Sequence, residues 1–567
     1  MARLRALRRG AEAARRLPLA VTGALRRFAE DPARGRAALE RAWPATARGP
    51  RGTDPAALVD RAVAEDRLVD AEIALGLLDA DDSRRPSCEL AVRRLRGDLI
   101  DVLDHPVHDA RGRRVARTAR RQVDELTSPL PTWAYARGDN AASPPGTPPA
   151  RILHVVTNSL PLTQAGSTIR THRILLAQRE FGWDARAATR PGYPVTYGEL
   201  DAAPTEFLDG VPYLRLLPAV MPSDAALPRA YVDLLARVAD DFRPHLLHAA
   251  SDHVNARVAL EVGRRAGIPV AYEVRAFHEE TWLSRHGGES ARHSDVYRWT
   301  RERHTEVMRA ADLVTTLGES MRAEIIARGV DADRVVVVPN GVPVGFLEGK
   351  RESVEARADL GLDRDGFWVG SVATIHDAEG FEVMLDALAR LRADGIDARA
   401  LLVGDGPALP RLRTRARDLA VPMTTPGRVP VTEVSRYFDA LDVFAYPRLD
   451  TPLNREVTGL KPLEAQARGL PVVGTDLPAV AEVLAPQTPL VVAGDPGALA
   501  QALRELRDPA RRRDLGERGK AWVAAHRTWP SVTGRYRTAY AALGVPTEGN
   551  PPSGSSPGGS AEPTLSG

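Results

Sequence analysis

DVFAYPRLDTPLNREVTGLKPLEAQARGLPVVGT, residues Asp442 to Thr475, is the stretch whose reading decides the fold. DVFAYP and LPVVGT are short apolar runs bounded by turn signals and read as buried strands. Between them KPLEAQAR reads as a helix with Pro462 in its first turn. A strand, a helix and a second strand in this order make one crossover unit of a parallel sheet.

The connection between strand and helix is chemically loaded. Glu456 is placed on the loop and Glu464 one turn into the helix, eight positions apart and both facing one crevice. The helix N-terminus brings unpaired backbone N–H groups and the positive end of a dipole, which suit an anion. Basic charge in this chain is almost all arginine. Its only lysines are Lys350, Lys461 and Lys520, and Lys461 falls between the two glutamates. Two carboxylates can grip the hydroxyls of a sugar and a ribose, while amides and Lys461 hold a diphosphate. The combination suits a nucleotide-sugar, although two glutamates at this spacing also arise by chance in a highly charged chain.

Outward from this unit the same alternation repeats. FWVGSVA, RALLVG (Arg399 to Gly404) and PLVVA (Pro489 to Ala493) join DVFAYP and LPVVGT as strands of a doubly wound domain over residues 346–543, closed by a helix near Tyr536 and Tyr540. ILHVVT (Ile152 to Thr157), WDARAATR, HLLHA, PVAYEV, DLVTTL and RVVVVP are the strands of a first such domain over residues 151–345. Residues 1–128 form a small all-helical region, with apolar positions such as Leu58, Val63, Leu68, Leu95, Leu99 and Val102 at helical spacing. Residues 129–150, containing Pro-Leu-Pro and SPPGTPP, read as a linker, and residues 544–567 as a disordered tail.

Composition limits the function classes. The net charge of +3 gives no bulk attraction to nucleic acid, and none is expected as a partner. Cys88 is the only cysteine, which excludes a disulfide framework and a cysteine zinc cluster. No run of 18 apolar residues is long enough to span a membrane. Arg3, Arg5, Arg8, Arg9, Arg15, Arg16, Arg26 and Arg27 flank the apolar run Leu17 to Leu25. That segment reads either as an interfacial helix on anionic lipid or as a solvated arginine-rich face. Arg26 and Arg27 follow too soon for a clean signal peptide.

Ligands of open parallel sheets bind beyond the carboxyl ends of the strands. In the first domain those positions hold Gly166 in QAGSTIR, followed by Arg170, and Arg275 with His278 in YEVRAFHEE. In the second they hold Gly404 and Gly406 of GDGP, Arg428 and Val429 of GRV, and the turn of Gly459 and Leu460. Arg275 is an anion candidate, with a salt bridge to Glu279 or Glu280 as the structural alternative.

Taken together, QAGSTIR, YEVRAFHEETW, VVVVPNGVP, LLVGDGP, GRVPVTEVSRYFDALDVFAYPR and EVTGLKPLEAQARGLPVVGT resemble the family 4 retaining glycosyltransferases over residues 151–543. The resemblance implies two facing Rossmann-like domains, the GT-B architecture, with a nucleotide-sugar in the cleft and a final helix crossing back to the first domain. It implies that Glu456 contacts the donor sugar, that Glu464 holds the ribose and that the amides of Gly459 and Leu460 meet the diphosphate. It places Gly166 near the donor phosphate, and Gly404, Gly406, Arg428 and Val429 on the nucleotide side. Lys461 and Arg275 join Glu456 as the catalytic candidates; Arg170 and His278 are expected at the substrate.

Two departures stand out. The family commonly carries an Arg and a Lys after the first strand of the second domain; Ser371 to Gly380, SVATIHDAEG, has neither. Lys461, Arg275 or Arg170 would have to supply that charge. The family also often shows a His-x-His-like pair on the acceptor side, and here His248 is followed by Ala250 at the second position, with His253 or His278 as substitutes.

The expected reaction is transfer of a sugar from a nucleotide diphosphate sugar to an acceptor hydroxyl by front-face displacement with retention. The leaving phosphate itself takes the acceptor proton, so no strong protein base is required. No metal-ligand cluster is visible in the sequence and helix amides with Lys461 can do a cation's work, so neither a metal nor a cofactor is expected. The acceptor class is a glycan, a lipid-linked sugar or a small molecule. Placement is cytoplasmic, with a peripheral position at the inner membrane face as the further option. The competing readings are a sugar-nucleotide epimerase of the same architecture, a non-catalytic binding or scaffold protein with a degenerate site, and an interaction role for the helical N-terminal region.

Overall fold

The computed structural model describes residues 54–130, 149–223, 225–286 and 288–546. The arginine-rich segment 1–30, most of the linker and nearly all of the tail lie outside the described residues.

Two α/β domains follow a helical region. The first is built on an eight-stranded sheet in the order β3-β4-β2-β1-β5-β6-β7-β8. Its strands are β1 (Arg151–Val156), β2 (Asp184–Thr189), β3 (Thr205–Leu208), β4 (Val211–Arg215), β5 (Leu246–Ala250), β6 (Val270–Val274), β7 (Leu313–Thr316) and β8 (Val335–Val337). The second has six strands in the order β11-β10-β9-β12-β13-β14. These are β9 (Phe367–Val372), β10 (Ala398–Val403), β11 (Met423–Gly427), β12 (Val443–Tyr446), β13 (Val472–Thr475) and β14 (Leu490–Val491). Pairing is parallel except between β3 and β4. Helices cover both faces, so β5, β6, β7, β9 and β12 are buried along their whole length. This is why they read as continuous apolar runs rather than alternating ones.

The structure departs from the sequence expectation in three places. β3 and β4 form an edge hairpin over TEFLDGVPYLR, where Asp209 and Gly210 take positive φ. β11, Met423–Gly427, is a strand that the sequence reading did not pick out, and it leads directly into the bend at Arg428. Glu456 is not on a loop: it is the last residue of a short helix, Pro452–Glu456, whose N-cap Thr451 accepts from the Asn454 amide. The helix after it spans Lys461–Ala467, with Pro462 in its first turn as expected.

Five helices between Pro55 and Thr127 make up the described part of the N-terminal region. They do not stand apart. Leu90, Leu99, Val102 and Leu126 pack with Val296 and Trp299 of the first-domain helix Asp295–Ala310. The Ile100 amide donates to Asp295 at 2.9 Å, and His286 lies 2.9 Å from Asp66.

The chain crosses between the domains twice, side by side. Outbound, the Val342 amide donates to the Arg527 carbonyl at 2.7 Å; inbound, the Trp529 amide donates to the Val342 carbonyl at 3.1 Å. A Cβ at Gly341 would sit 2.9 Å from the Trp529 nitrogen, so only glycine admits this crossing. The final helix, Trp529–Ala541, then lies on the first domain. Trp529, Val532, Tyr536 and Tyr540 share a buried cluster with Ile152, Ala185 and Ala187.

Glu273 on β6 is the polar centre of that contact. It is fully buried and accepts from Arg170 Nε at 2.8 Å, Arg275 Nε at 2.9 Å and the Tyr536 hydroxyl at 3.1 Å. His248 lies 3.2 Å from it, stacks on His154 and bonds Tyr540. Burial alone would raise the Glu273 carboxyl, but Arg275 and Arg170 hold it well below the usual carboxylate range. Its contribution to stability is therefore present above the unfolded carboxylate pKa and lost as pH falls through the folded value. Glu273→Ala leaves two guanidinium groups without their counter-charge and should lower the stability of the first domain by roughly 3–5 kcal/mol in urea unfolding at neutral pH. A loss below about 1 kcal/mol would show the network to be dispensable.

Candidate active site

The carboxyl ends of both parallel sheets face a shared cleft. On the second-domain side the loops after β9 and β10 are laced together. The Ile375 amide donates to Asp405 O at 3.0 Å and the Ala408 amide to Ile375 O at 3.2 Å. Gly404 and Gly406 serve this lacing: a Cβ on either would fall 1.9 Å from Ala373 O or 2.1 Å from Ile375 O. Close approach of the two loops thus explains both glycines before any ligand is considered. Arg428 is exposed beside them, whereas the Val429 side chain packs into the apolar cluster around Phe438.

The loop after β12 carries the densest chemistry. Glu464 is buried on its helix, and Lys461 Nζ donates to its Oε2 at 2.7 Å. Gly459 lies over Tyr446, where a Cβ would come within 2.2 Å of the phenol oxygen. Four buried polar atoms in this one stretch lack a hydrogen-bond partner among the described residues: Tyr446 Oη, Asn454 Oδ1, Glu456 Oε2 and Thr458 Oγ1. Buried polar groups are otherwise almost always paired, and such a cluster marks a place where a polar ligand completes the set.

Across the cleft, the helix carrying Glu456 meets the first-domain helices His278–Leu283 and Glu319–Ala327. Glu482 reaches over from the second domain and accepts from the Glu319 and Ser320 amides at 2.7 and 2.8 Å, which caps the second of these helices. Burial, with Glu280, Glu324 and Glu279 of the first domain adding to it and Arg328 opposing, pushes the Glu456 carboxyl up to about 7.

The first-domain candidates divide into two groups. Gly166 is exposed at the start of its helix, and a Cβ there would meet open space. His278 is half-buried near His304, and burial lowers its pKa. Arg170 and Arg275, by contrast, are spent inside the domain. Arg170 is 2% exposed and, besides Glu273, donates to the Val338 and Pro339 carbonyls at 2.7 and 3.0 Å. Arg275 pairs with Glu273 rather than with Glu279 or Glu280, and holds the Ser167 carbonyl at 2.8 Å. His248 is likewise a core residue of the Glu273 network, not a cleft residue.

Sequence reasoning gave no role to Arg448, Tyr446 or Glu379, which the structure brings together on the cleft side of the second domain. The available signal was the YPR triplet at a strand end, where an arginine directly follows a buried strand.

Comparison with known proteins agrees with this geometry. Residues 165–341 match the family described as glycosyl transferase 4-like domain, and residues 365–508 the family described as glycosyl transferases group 1. A GDP-mannose-dependent alpha-(1-6)-phosphatidylinositol monomannoside mannosyltransferase of Mycolicibacterium smegmatis is 30% identical over 285 residues, 47% of this chain and 69% of the relative. A GDP-mannose-dependent monoacylated alpha-(1-6)-phosphatidylinositol monomannoside mannosyltransferase of Corynebacterium glutamicum is 34% identical over 198 residues, 34% of this chain and 52% of the relative. The chain thus spans about half to two thirds of these relatives. Among solved structures, sucrose-phosphate synthase from Thermosynechococcus elongatus shares the fold with a TM-score of 0.58 at 19% identity, over 70% of this chain and 99% of that one. The protein is a glycosyltransferase of two-domain GT-B architecture. It belongs to the family 4 glycosyltransferases.

The raised Glu456 carboxyl has a pH consequence. A carboxyl whose folded pKa lies above its unfolded value gives stability that is complete below about pH 4.5 and lost as pH rises through about 7. Glu456→Gln removes that loss. Without donor, the variant should melt at a higher temperature than the wild type above pH 7, and the two should converge toward pH 5. Parallel melting profiles across pH 5–9 would mean that the carboxylate is solvated.

Proposed function

We propose that this glycosyltransferase moves a hexose from a nucleotide diphosphate sugar to a hydroxyl of a glycolipid or glycan acceptor, with retention at the anomeric carbon. The observation that carries the reading is the pair Glu456 and Glu464 on either side of the Thr458–Gly459 turn, beside buried polar atoms that have no partner among the described residues. Glu456 meets the donor sugar, Glu464 the ribose, and Lys461 with the turn amides the diphosphate. Arg170 and Arg275 act indirectly, by holding the end of β8 and the start of the helix that bears Gly166. Arg428 and the loops bearing Gly404 and Gly406 border the base, and Gly166 and His278 face the donor phosphate and the acceptor. Transfer needs no metal and no cofactor, because the charge that develops on the leaving diphosphate is met by fixed donors of the protein.

GDP-mannose is the first donor to consider, because relatives at 30–34% identity are named for it. Those same names make an inositol-bearing lipid the first acceptor. A lipid acceptor would bring the enzyme to a membrane surface, and the N-terminal arginines are placed in sequence to hold it at an anionic inner face as a peripheral protein.

A thermal-shift panel of GDP-, UDP-, ADP- and TDP-sugars tests the donor. At a hundred times its Kd a true donor contributes about 2.7 kcal/mol of apparent stability, a shift of several degrees. Glu464→Ala should abolish that shift and change the donor-free melting temperature little. No shift with any nucleotide-sugar, and no consumption of one, would end the reading.

Removal of residues 1–30 tests the membrane role. Binding to anionic vesicles at low salt should fall, at about 1 kcal/mol per arginine near the surface, while donor turnover stays intact. Unchanged vesicle binding would leave those arginines a solvated face.

A further inference from the structure

The loop after β9, ATIHDAEG from Ala373 to Gly380, contains no lysine or arginine, yet it borders the turn where the diphosphate is expected. The neighbouring strand supplies a cation. β12 pairs directly with β9, and Arg448 leaves its carboxyl end two residues after Tyr446. The loops that follow these two strands are tied to each other. The Leu449 amide donates to Ala378 O at 3.0 Å, Asn454 Nδ2 donates to the same carbonyl at 2.8 Å, and Gly380 packs against Pro447 O.

The Arg448 side chain is fixed from three sides. Its guanidinium lies over the Tyr446 ring, 4.7 Å from the centroid. Nη1 donates to the Val457 carbonyl at 2.9 Å, and Nη2 and Nε donate to the Glu379 carboxylate at 3.1 and 3.4 Å. A guanidinium has five N–H groups in a rigid fork. Three are used among the described residues, which leaves one on each terminal nitrogen. The Val457 contact sets the group against the turn formed by Thr458 and Gly459. The unpaired Tyr446 and Thr458 hydroxyls lie in the same stretch.

We infer that Arg448 joins Lys461 and the turn amides in taking the diphosphate charge of the donor, and that Glu379 is the anchor that orients its guanidinium rather than an acid of the reaction. The inference rests on the transferase reading above. It assigns the cation that the β9 loop lacks to the loop of the adjacent strand, with a glutamate left in the β9 loop to hold it. A carboxylate pairing with one edge of the fork keeps the other N–H groups aimed and pre-organised, which is what stabilisation of a developing charge requires.

The test uses the full chain and the nucleotide-sugar that the wild type consumes. Arg448→Ser should lower kcat about a hundredfold with KM changed only a few-fold. It should also erase the preference of product inhibition for the nucleoside diphosphate over the monophosphate. Glu379→Lys placed in the Arg448→Ser background returns a cation to the β9 loop without rebuilding an ion pair, and should recover at least tenfold of the lost kcat. Arg448→Lys, which keeps the charge but not the fork, should fall between Arg448→Ser and the wild type. A folded Arg448→Ser with near-wild-type kcat and intact diphosphate preference would overturn the inference. So would a double variant no better than Arg448→Ser, which would make the pair purely structural. If Arg448→Ser does not fold, the split between kcat and KM in Arg448→Lys decides: unchanged kcat overturns the inference. A wild type that consumes no nucleotide-sugar would instead overturn the transferase reading itself, and this inference with it.

Discussion

The carboxylate of Glu273 is the constraint on which the first domain depends. It is buried on a central strand, where an isolated charge would be intolerable, and two arginines, a histidine and a tyrosine converge on it. Each partner comes from a different part of the chain. Arg170 stands on the helix after β1 and runs on to the carbonyls after β8, Arg275 follows β6 and holds the first turns of the Arg170 helix, and Tyr536 belongs to the last helix. One charge thus fixes the relative position of three cleft-side segments and the returning chain. A purely apolar centre of equal volume would be at least as stable, but it would not specify these positions.

The second domain solves a different problem. Its site is made by loops that leave neighbouring strands and must approach each other closely, so glycine carbons sit against carbonyl oxygens at Gly380, Gly404 and Gly406. The result is a rigid rim. Between the domains the contacts are of opposite sign: Glu482 bridges to a first-domain helix, while Glu456 is buried facing first-domain glutamates that push its carboxyl up.

Much of this was legible in the sequence. The crossover unit at Asp442–Thr475, the two doubly wound domains and the return of Tyr536 and Tyr540 follow from apolar runs alternating with helical stretches, because buried parallel strands leave that signature. The edge hairpin of β3 and β4 does not leave it: its strands are short, the first opens on Thr-Glu and the second carries Pro212, so they look like loop. The pairing of Arg170 and Arg275 was also hidden. A strand-end arginine looks the same in sequence whether it faces a cleft or a carboxylate on its own strand, and Glu273, two positions before Arg275, lies within a run that reads as pure strand. Arg448 is the converse case. Its partner is 69 positions distant, and only the adjacency of β9 and β12 brings the two together.

The return of the last helix has a bearing on how the protein is made. The apolar cluster under β1 and β2 is closed by Trp529, Val532, Tyr536 and Tyr540, and the buried Glu273 receives its tyrosine hydroxyl from the same helix. Translation delivers those residues only after the whole of the second domain. The first domain emerges from the ribosome early, yet waits with an open apolar groove and an under-paired carboxylate until synthesis is almost finished. Vectorial synthesis therefore makes the amino-terminal domain the last to complete its core, and a nascent chain stalled in the second domain would expose a surface that chaperones recognise.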